Sequence, residues 1–258
     1  MTRIGERFAR RRAEGRPAFV AFLTAGDPSP DRTVEAAVEL DRAGADVLEL
    51  GVPFSDPLAD GPVIQRASER ALARGVTLAK VLELVRRIRD RSELPLLLFS
   101  YYNPLLQHGL ERLAREAGEA GVDGVLVTDL PPEEAREWVA AARASDLDTV
   151  FLASPTSPPE RLRLVAETTR GFVYAISRTG VTGERSALSE DARPLVERLR
   201  ALTRVPVALG FGLSTPEQVR EAAAVADGVV VGSALVRFLE EHPGGDLGAQ
   251  VRWLTSTT

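Results

Sequence analysis

Asp46-Val47-Leu48-Glu49-Leu50-Gly51-Val52-Pro53-Phe54-Ser55-Asp56-Pro57-Leu58-Ala59-Asp60-Gly61-Pro62 reads as one strand, one loop and the start of one helix. Residues 46–50 form a short apolar run broken by a single inner carboxylate, and such a run suits a buried strand. Pro62 suits the first turn of a helix, where a missing N–H costs nothing. Between them lie Asp56 and Asp60, with no basic residue to balance them. An ionised Glu49 in or beside an apolar core costs several kcal/mol unless it is paired. Packing alone explains that carboxylate poorly, so it is either a satisfied structural group or a working one.

The same unit recurs outward in both directions. Apolar runs at 18–23, 46–50, 95–99, 124–127, 149–152, 172–176, 205–209 and 228–231 are continuous rather than alternating, as expected for parallel strands covered on both faces. Helix signals separate them. Ser29-Pro30-Asp31 starts a helix that ends near Ala43-Gly44, and Pro131-Pro132-Glu133-Glu134 opens one that ends near Ala144. Ser157-Pro158-Pro159-Glu160 and Ser214-Thr215-Pro216-Glu217 each combine a hydroxyl cap with proline and an early acid. The segment between the second and third runs is long enough for two helices. Residues 1–12 read as an amphipathic helix with Ile4, Phe8 and Ala9 facing inward. Eight strands, each followed by a helix, in about 250 residues is the arithmetic of an α/β chain folded as a (β/α)8 TIM barrel. The first helix is additional to that count. No composition break divides residues 1–258, so a single barrel domain is expected. An open doubly wound sheet is the rival architecture, but eight βα units of similar length are many for one open parallel sheet. In a barrel, Glu49 and the acidic loop sit at the C-terminal ends of the strands, where barrels build active sites.

Composition narrows the chemistry. A net charge of −5 argues against a nucleic-acid partner, and no run of 18 apolar residues is present to span a membrane. The basic N-terminus lacks the apolar centre of a signal peptide, and the absence of cysteine excludes disulfides and thiol catalysis; both fit a cytoplasmic enzyme. Lys80 is the only lysine, and it falls off the apolar face of the helix at 78–88, so it is expected in solvent. His108 and His242 are the only histidines, each in a polar, loop-like setting.

Three glycine-rich turns follow the last three strands: Ser177-Arg178-Thr179-Gly180-Val181-Thr182-Gly183, Gly210-Phe211-Gly212-Leu213-Ser214, and Gly232-Ser233-Ala234. Barrels often hold phosphate on the loops after strands seven and eight and on a short helix N-terminus. Glycine lets backbone N–H groups approach an anion, and a helix start adds partial positive charge. With one lysine in the chain, such a site would hold its anion by backbone amides and the Ser233 hydroxyl.

These segments, together with Phe22-Leu23-Thr24-Ala25-Gly26-Asp27-Pro28 and Glu49 to Pro62, resemble the tryptophan synthase α subunit family, in the same order and spacing along essentially the whole chain. The resemblance implies a (β/α)8 barrel that cleaves indole-3-glycerol phosphate to indole and glyceraldehyde 3-phosphate. It implies no cofactor in this chain, and a β subunit partner that uses pyridoxal phosphate, in an α2β2 assembly. It makes Glu49 and Asp60 the acid/base pair. Gly183, Gly212, Gly232 and Ser233 would hold the phosphate. Phe22, Tyr174 and Phe211 would wall the indole pocket, with Thr24 near the substrate. Ser100-Tyr101-Tyr102-Asn103-Pro104 varies the family's tyrosine-bearing turn and leaves open which tyrosine faces the pocket.

The implied chemistry suits these residues. Carbon–carbon cleavage by a retro-aldol route usually needs a lysine Schiff base or a metal as electron sink. Lys80 is badly placed for the first. Two separated histidines and no cysteine argue against zinc, although carboxylates can hold magnesium. Indole supplies its own sink, because protonation at C3 creates an iminium-like cation. Glu49 on a rigid strand suits the proton shuttle, and Asp60 on the loop suits the indole N–H. The competing reading of Asp60 is helix capping before Pro62; that of Asp56 is turn formation at Asp56-Pro57. The loops 53–61 and 178–191 exceed a minimal βα turn of about 2–6 residues. They are expected to act as lids at a β-subunit interface, with Asp56 and Pro57 in contact with the partner. Another phosphate-binding barrel, such as a sugar-phosphate isomerase, and a non-catalytic activator of a β subunit are the other readings; a dry, aromatic pocket would favour indole over a sugar.

Overall fold

A computed structural model describes residues 2–176, 190–210 and 212–256. Its elements in chain order are α1 (Arg3–Ala13), β1 (Ala18–Thr24), α2 (Pro30–Arg42), β2 (Val47–Gly51), α3 (Pro62–Ala73), α4 (Leu78–Arg89), β3 (Leu96–Ser100), α5 (Tyr102–His108), α6 (Leu110–Ala120) and β4 (Gly124–Val127). They continue as α7 (Arg136–Ala144), β5 (Asp148–Val150), β6 (Leu152–Ala153), α8 (Pro159–Thr168), β7 (Val173–Ile176), α9 (Ala192–Leu202), β8 (Val207–Gly210), α10 (Pro216–Ala223), β9 (Gly228–Val231), α11 (Ser233–Glu241) and α12 (Leu247–Leu254). The strands pair in parallel in the order β5-β4-β3-β2-β1-β9-β8-β7-β6. The two end strands of that row are neighbours in sequence, separated only by Phe151. The ring is therefore closed by the chain itself, as a barrel and not an open sheet. The fifth expected strand is split: β5 pairs with β4, β6 pairs with β7, and the carbonyl of Phe151 already accepts the N–H of Tyr174 at 3.0 Å.

Strand alternation sorts the core into two parts. Val20, Phe22, Val47, Leu97, Phe99, Leu126, Val150, Tyr174, Ala208 and Val230 pack together inside the barrel. Their chain neighbours, among them Leu23, Leu48, Leu50, Leu98, Val173 and Val229, pack outward with the helices. Glu49 lies between the outward-facing Leu48 and Leu50, and in register with Phe22 on one side and Leu97 on the other. Alternation therefore turns its side chain into the barrel.

Sequence signals set most helix starts. The Ser29 side chain accepts the Arg32 N–H at 3.1 Å at the head of α2, and Thr215 forms a capping box with Gln218 at the head of α10. The expected pair between the second and third strands is α3 and α4. Two starts differ. Residues 131–134 form turns and α7 begins at Arg136, so the double proline leads into the helix without joining it. Ser157 does not cap α8; its hydroxyl accepts the Ser154 N–H at 3.1 Å instead.

Helix α1 closes the lower mouth of the barrel. Ile4 and Phe8 are buried, and Phe8 stacks on Phe172 with ring centroids 5.3 Å apart. Ala9, expected to face inward, is exposed: the apolar contact is narrower than the sequence suggests. Arg11 grips fully buried Asp46 at 2.7 and 2.8 Å, the Thr2 hydroxyl donates to Asp148 at 2.5 Å, and Arg12 pairs with Asp227 at 3.5 Å. Asp46 and Asp227 each also accept a backbone N–H at the foot of an adjoining strand, from Phe19 at 2.9 Å and Val207 at 2.8 Å. Charge at this end of the barrel is thus paired and structural.

Candidate active site

The opposite end holds a cavity lined by Phe22, Glu49, Asp60, Ile64, Phe99, Tyr174, Gly212, Val230, Gly232 and Ser233, with about 410 Å³ of empty space including its opening to solvent. Strand ends supply most of the wall. Phe22 comes from β1, Glu49 from β2, Phe99 from β3, Tyr174 from β7 and Val230 from β9. Phe22 and Phe99 meet edge to face, with centroids 5.2 Å apart. Gly51 lets the Phe22 ring lie against β2, since a Cβ there would come within 2.6 Å of it. The wall is thus largely apolar and aromatic, as an indole requires and a sugar does not.

Glu49 is the anomaly in that wall. It is 1% exposed, and neither carboxyl oxygen has a hydrogen-bond partner among the described residues. Burial without a partner penalises the charged form and pushes the carboxyl up to about 8. At pH 7 the neutral acid then outweighs the carboxylate by roughly ten to one. Asp60 is also buried and pushed up by desolvation, but only to about 6, because the Tyr101 hydroxyl partly offsets the burial. At neutral pH the site therefore holds one protonated and one ionised carboxyl group. The phenol of Tyr174, buried near both, is held well above its usual range by burial and by these two acids.

The structure separates the two readings of Asp60. Gly61 occupies the N-cap position of α3, and no side chain caps that helix. Asp60 does not cap α3; its carboxyl lines the cavity and faces Tyr101. Tyr101 is buried and contacts the loop, whereas Tyr102 is half-buried at the head of α5; neither is part of the cavity wall itself. Asp56 is exposed, accepts the Ser55 hydroxyl at 2.5 Å and lies outside the cavity, with half-buried Pro57 beside it.

Gly212, Gly232 and Ser233 come together on one side of the cavity. Gly212 has φ 82°, a conformation glycine adopts without strain. Gly232 is the N-cap of α11 and supplies no side-chain cap; the Leu235 N–H turns back to the Gly232 carbonyl at 2.9 Å, which leaves the N–H groups of Ser233 and Ala234 at the open end of the helix. Such a helix start favours an anion. Gly183 and Phe211 lie outside the described residues, as do residues 178–189 of the second rim loop. Thr24 ends β1, buried with its hydroxyl unpartnered among the described residues, but does not line the cavity.

Ile64, Phe99 and Val230 line the wall without having been singled out in the sequence. Phe99 and Val230 share the inward parity of Leu97 and of the barrel interior, a signal that strand alternation carries. Ile64 stands on the first turn of α3, and its inward turn depends on how that helix leans on the barrel. Lys80 is exposed on α4, His108 pairs with Glu116 at 2.7 Å, and His242 stacks on Phe238; none reaches the cavity. Among the described residues there is no group of three or more His, Cys, Asp or Glu side chains arranged to hold a metal ion, and no helix long and apolar enough to cross a membrane.

Residues 8–254 match the family model described as tryptophan synthase alpha chain. The tryptophan synthase alpha chain of Solibacter usitatus is 57% identical over 242 residues, which covers 94% of this chain and 91% of that one. Its counterpart from Geobacter sulfurreducens is 52% identical over 256 residues, covering 99% and 97%. A solved structure of Mycobacterium tuberculosis tryptophan synthase superposes with a TM-score of 0.92 at 41% identity, covering 99% of this chain and 97% of that chain. Tryptophan synthase subunit alpha from Legionella pneumophila gives 0.89 at 37% identity over 99% and 97%.

Proposed function

The chain belongs to the tryptophan synthase alpha chain family, a lyase family that cleaves indole-3-glycerol phosphate in tryptophan biosynthesis, and we propose that Glu49 and Asp60 carry that cleavage here. Chains of this family carry no cofactor and act in complex with a β subunit, which holds the pyridoxal phosphate. The observation that carries the assignment is the unpartnered Glu49 carboxyl in an aromatic cavity.

Phe22, Phe99 and Tyr174 enclose the indole, with Phe211 as a further wall and Thr24 nearby. Gly212, Gly232, Ser233 and Gly183 bind the phosphate through backbone N–H groups and the Ser233 hydroxyl. Protonated Glu49 delivers its proton to indole C3, which leaves positive charge on the ring nitrogen. Ionised Asp60 accepts the N–H and stabilises that charge. Glu49, now a carboxylate, takes the proton of the glycerol hydroxyl next to the breaking bond. The electron pair of the broken O–H bond forms the C=O of the aldehyde, and the carbon–carbon pair returns to the ring to restore neutral indole. One proton enters and one leaves, so Glu49 ends as it began.

Two further assignments complete the reading. The exposed loop that carries Asp56, Pro57 and Leu58 meets the β subunit, and Leu58 supplies an apolar contact at 87% exposure. The whole chain acts as one cytoplasmic barrel domain. The test is indole release from indole-3-glycerol phosphate by the purified chain, alone and with its β subunit. Slow release alone, stimulated at least about tenfold by the partner, is expected, a coupling of roughly 1.4 kcal/mol. Failure to release indole under either condition would overturn the assignment.

A further inference from the structure

We propose that Tyr101 is a positioning residue that fastens both limbs of the acidic loop to the end of β3 and holds the Asp60 carboxylate at the cavity. The inference rests on the reading of Asp60 as a working carboxylate.

Tyr101 follows β3 directly and is only 4% exposed. Its ring packs on Phe54, near the start of the loop, with centroids 5.0 Å apart and planes tilted by 31°. Its hydroxyl accepts the N–H of Ala59, near the end of the loop, at 3.0 Å. The same hydroxyl faces the Asp60 carboxyl. A phenol has one proton to give. With its oxygen taken by Ala59, that proton is directed to Asp60, where it favours the ionised form. Burial and the Asp60 charge keep the phenol itself protonated.

Among the described residues, the loop's other ties are backbone turns, Leu58 N–H to the Asp56 carbonyl at 2.9 Å and Asp60 N–H to the Pro57 carbonyl at 3.0 Å, and the Gln65 side chain, which also reaches the Pro57 carbonyl at 3.5 Å. Ser55, Asp56, Leu58 and Ala59 are exposed. The Gln65 side chain donates to the Asp60 carbonyl at 2.9 Å and so tethers the backbone, but it leaves the carboxylate free to turn. Among the described residues, Tyr101 is the side chain that engages the carboxyl. Other titratable groups face this pair: Glu49 and Tyr174 in the cavity, and Asp129 after β4, whose carboxylate accepts the Tyr102 N–H at 2.7 Å. A substitution at Tyr101 leaves them in place.

Tyr101→Phe removes the hydroxyl and keeps the ring on Phe54. Steady-state indole release should show kcat lowered by about tenfold or more, with a smaller change in KM, because the lost interaction matters most when charge develops at the indole N–H. The acid limb of kcat/KM should move to higher pH, since Asp60 loses the donor that favours its ionised form. The basic limb, set by Glu49, should stay. In an Asp60→Asn background the same substitution should cost little more, because the two act as a unit. An unshifted acid limb, or a full additive loss on top of Asp60→Asn, would overturn the positioning role. Unimpaired turnover in Asp60→Asn alone would instead overturn the reading of Asp60, and the two failures are thereby distinct.

Discussion

Replacing Glu49 with Gln should abolish catalysis and, at alkaline pH, stabilise the protein. The native carboxyl stands near 8, against an ordinary value of 4.5. Its folded-state value is raised, so the folded protein binds more protons than the unfolded chain between those two values. Stability contributed by Glu49 is therefore fully present below about pH 4.5 and is lost as pH rises toward 8. The slope is about 1.4 kcal/mol per pH unit across that window, which integrates to about 3–4 kcal/mol between pH 5 and pH 8. Glutamine does not titrate, so the variant lacks this loss, while every other group titrates alike in both proteins. Urea unfolding of the two proteins at pH 5, 6, 7 and 8 should give stability curves that diverge by that amount, with the variant gaining as pH rises. Turnover in the variant should fall at least about 10²-fold, because amide cannot deliver and recover the proton. If the two curves ran parallel, Glu49 would titrate as an ordinary carboxyl and the argument from desolvation would fail. If the variant turned over near normally, its proton role would fail independently.

The same two values predict a bell-shaped pH dependence of kcat/KM, with limbs near 6 for ionisation of Asp60 and near 8 for loss of the Glu49 proton; a profile flat from pH 5 to pH 9 would refute the pairing. Gly232→Val should raise the dissociation constant for glycerol 3-phosphate at least about tenfold: a Cβ there already meets Phe22 at 3.3 Å, and the further methyls would enter the approach to the α11 N-terminus. Calorimetric titration of that ligand into both proteins measures it, and unchanged affinity would move the phosphate elsewhere.

Strand alternation made much of this site legible. Phe22, Glu49 and Tyr174 sit on continuous apolar runs near strand ends, and their inward parity follows from period two alone. The same rule reaches Phe99 and Val230, which only needed to be counted. Ile64 was beyond it, because its direction depends on the phase of α3 against the barrel, a tertiary quantity. Thr24 shows the rule's limit in the other direction: it shares the parity of Phe22 and is buried, yet does not line the cavity. The split between β5 and β6 was likewise hidden. A run such as Thr149 to Leu152 looks continuous in sequence, and only ring closure determines which neighbour each half pairs with. Tyr101 was visible as a residue but not as an anchor, since Phe54 and Ala59 reach it across more than 40 residues of chain.

What local sequence could not separate was a structural acid from a working one. Asp46 and Glu49 lie three residues apart beside the same strand, and both are buried. Asp46 is held by Arg11, 35 residues earlier, and by the Phe19 N–H. Its charge stabilises the foot of the barrel because it is paired; removing one partner from such a pair costs several kcal/mol. Asp27 is another such case, gripped by Arg70 at 2.8 Å across 43 residues. Glu49 has no such partner among the described residues, and pairing depends on residues that no window around position 49 contains. Between about pH 4.5 and about pH 8, the unpaired carboxyl weakens the fold as pH rises. A buried acid that costs stability and has no structural partner fits the proton role proposed for Glu49 better than a packing role.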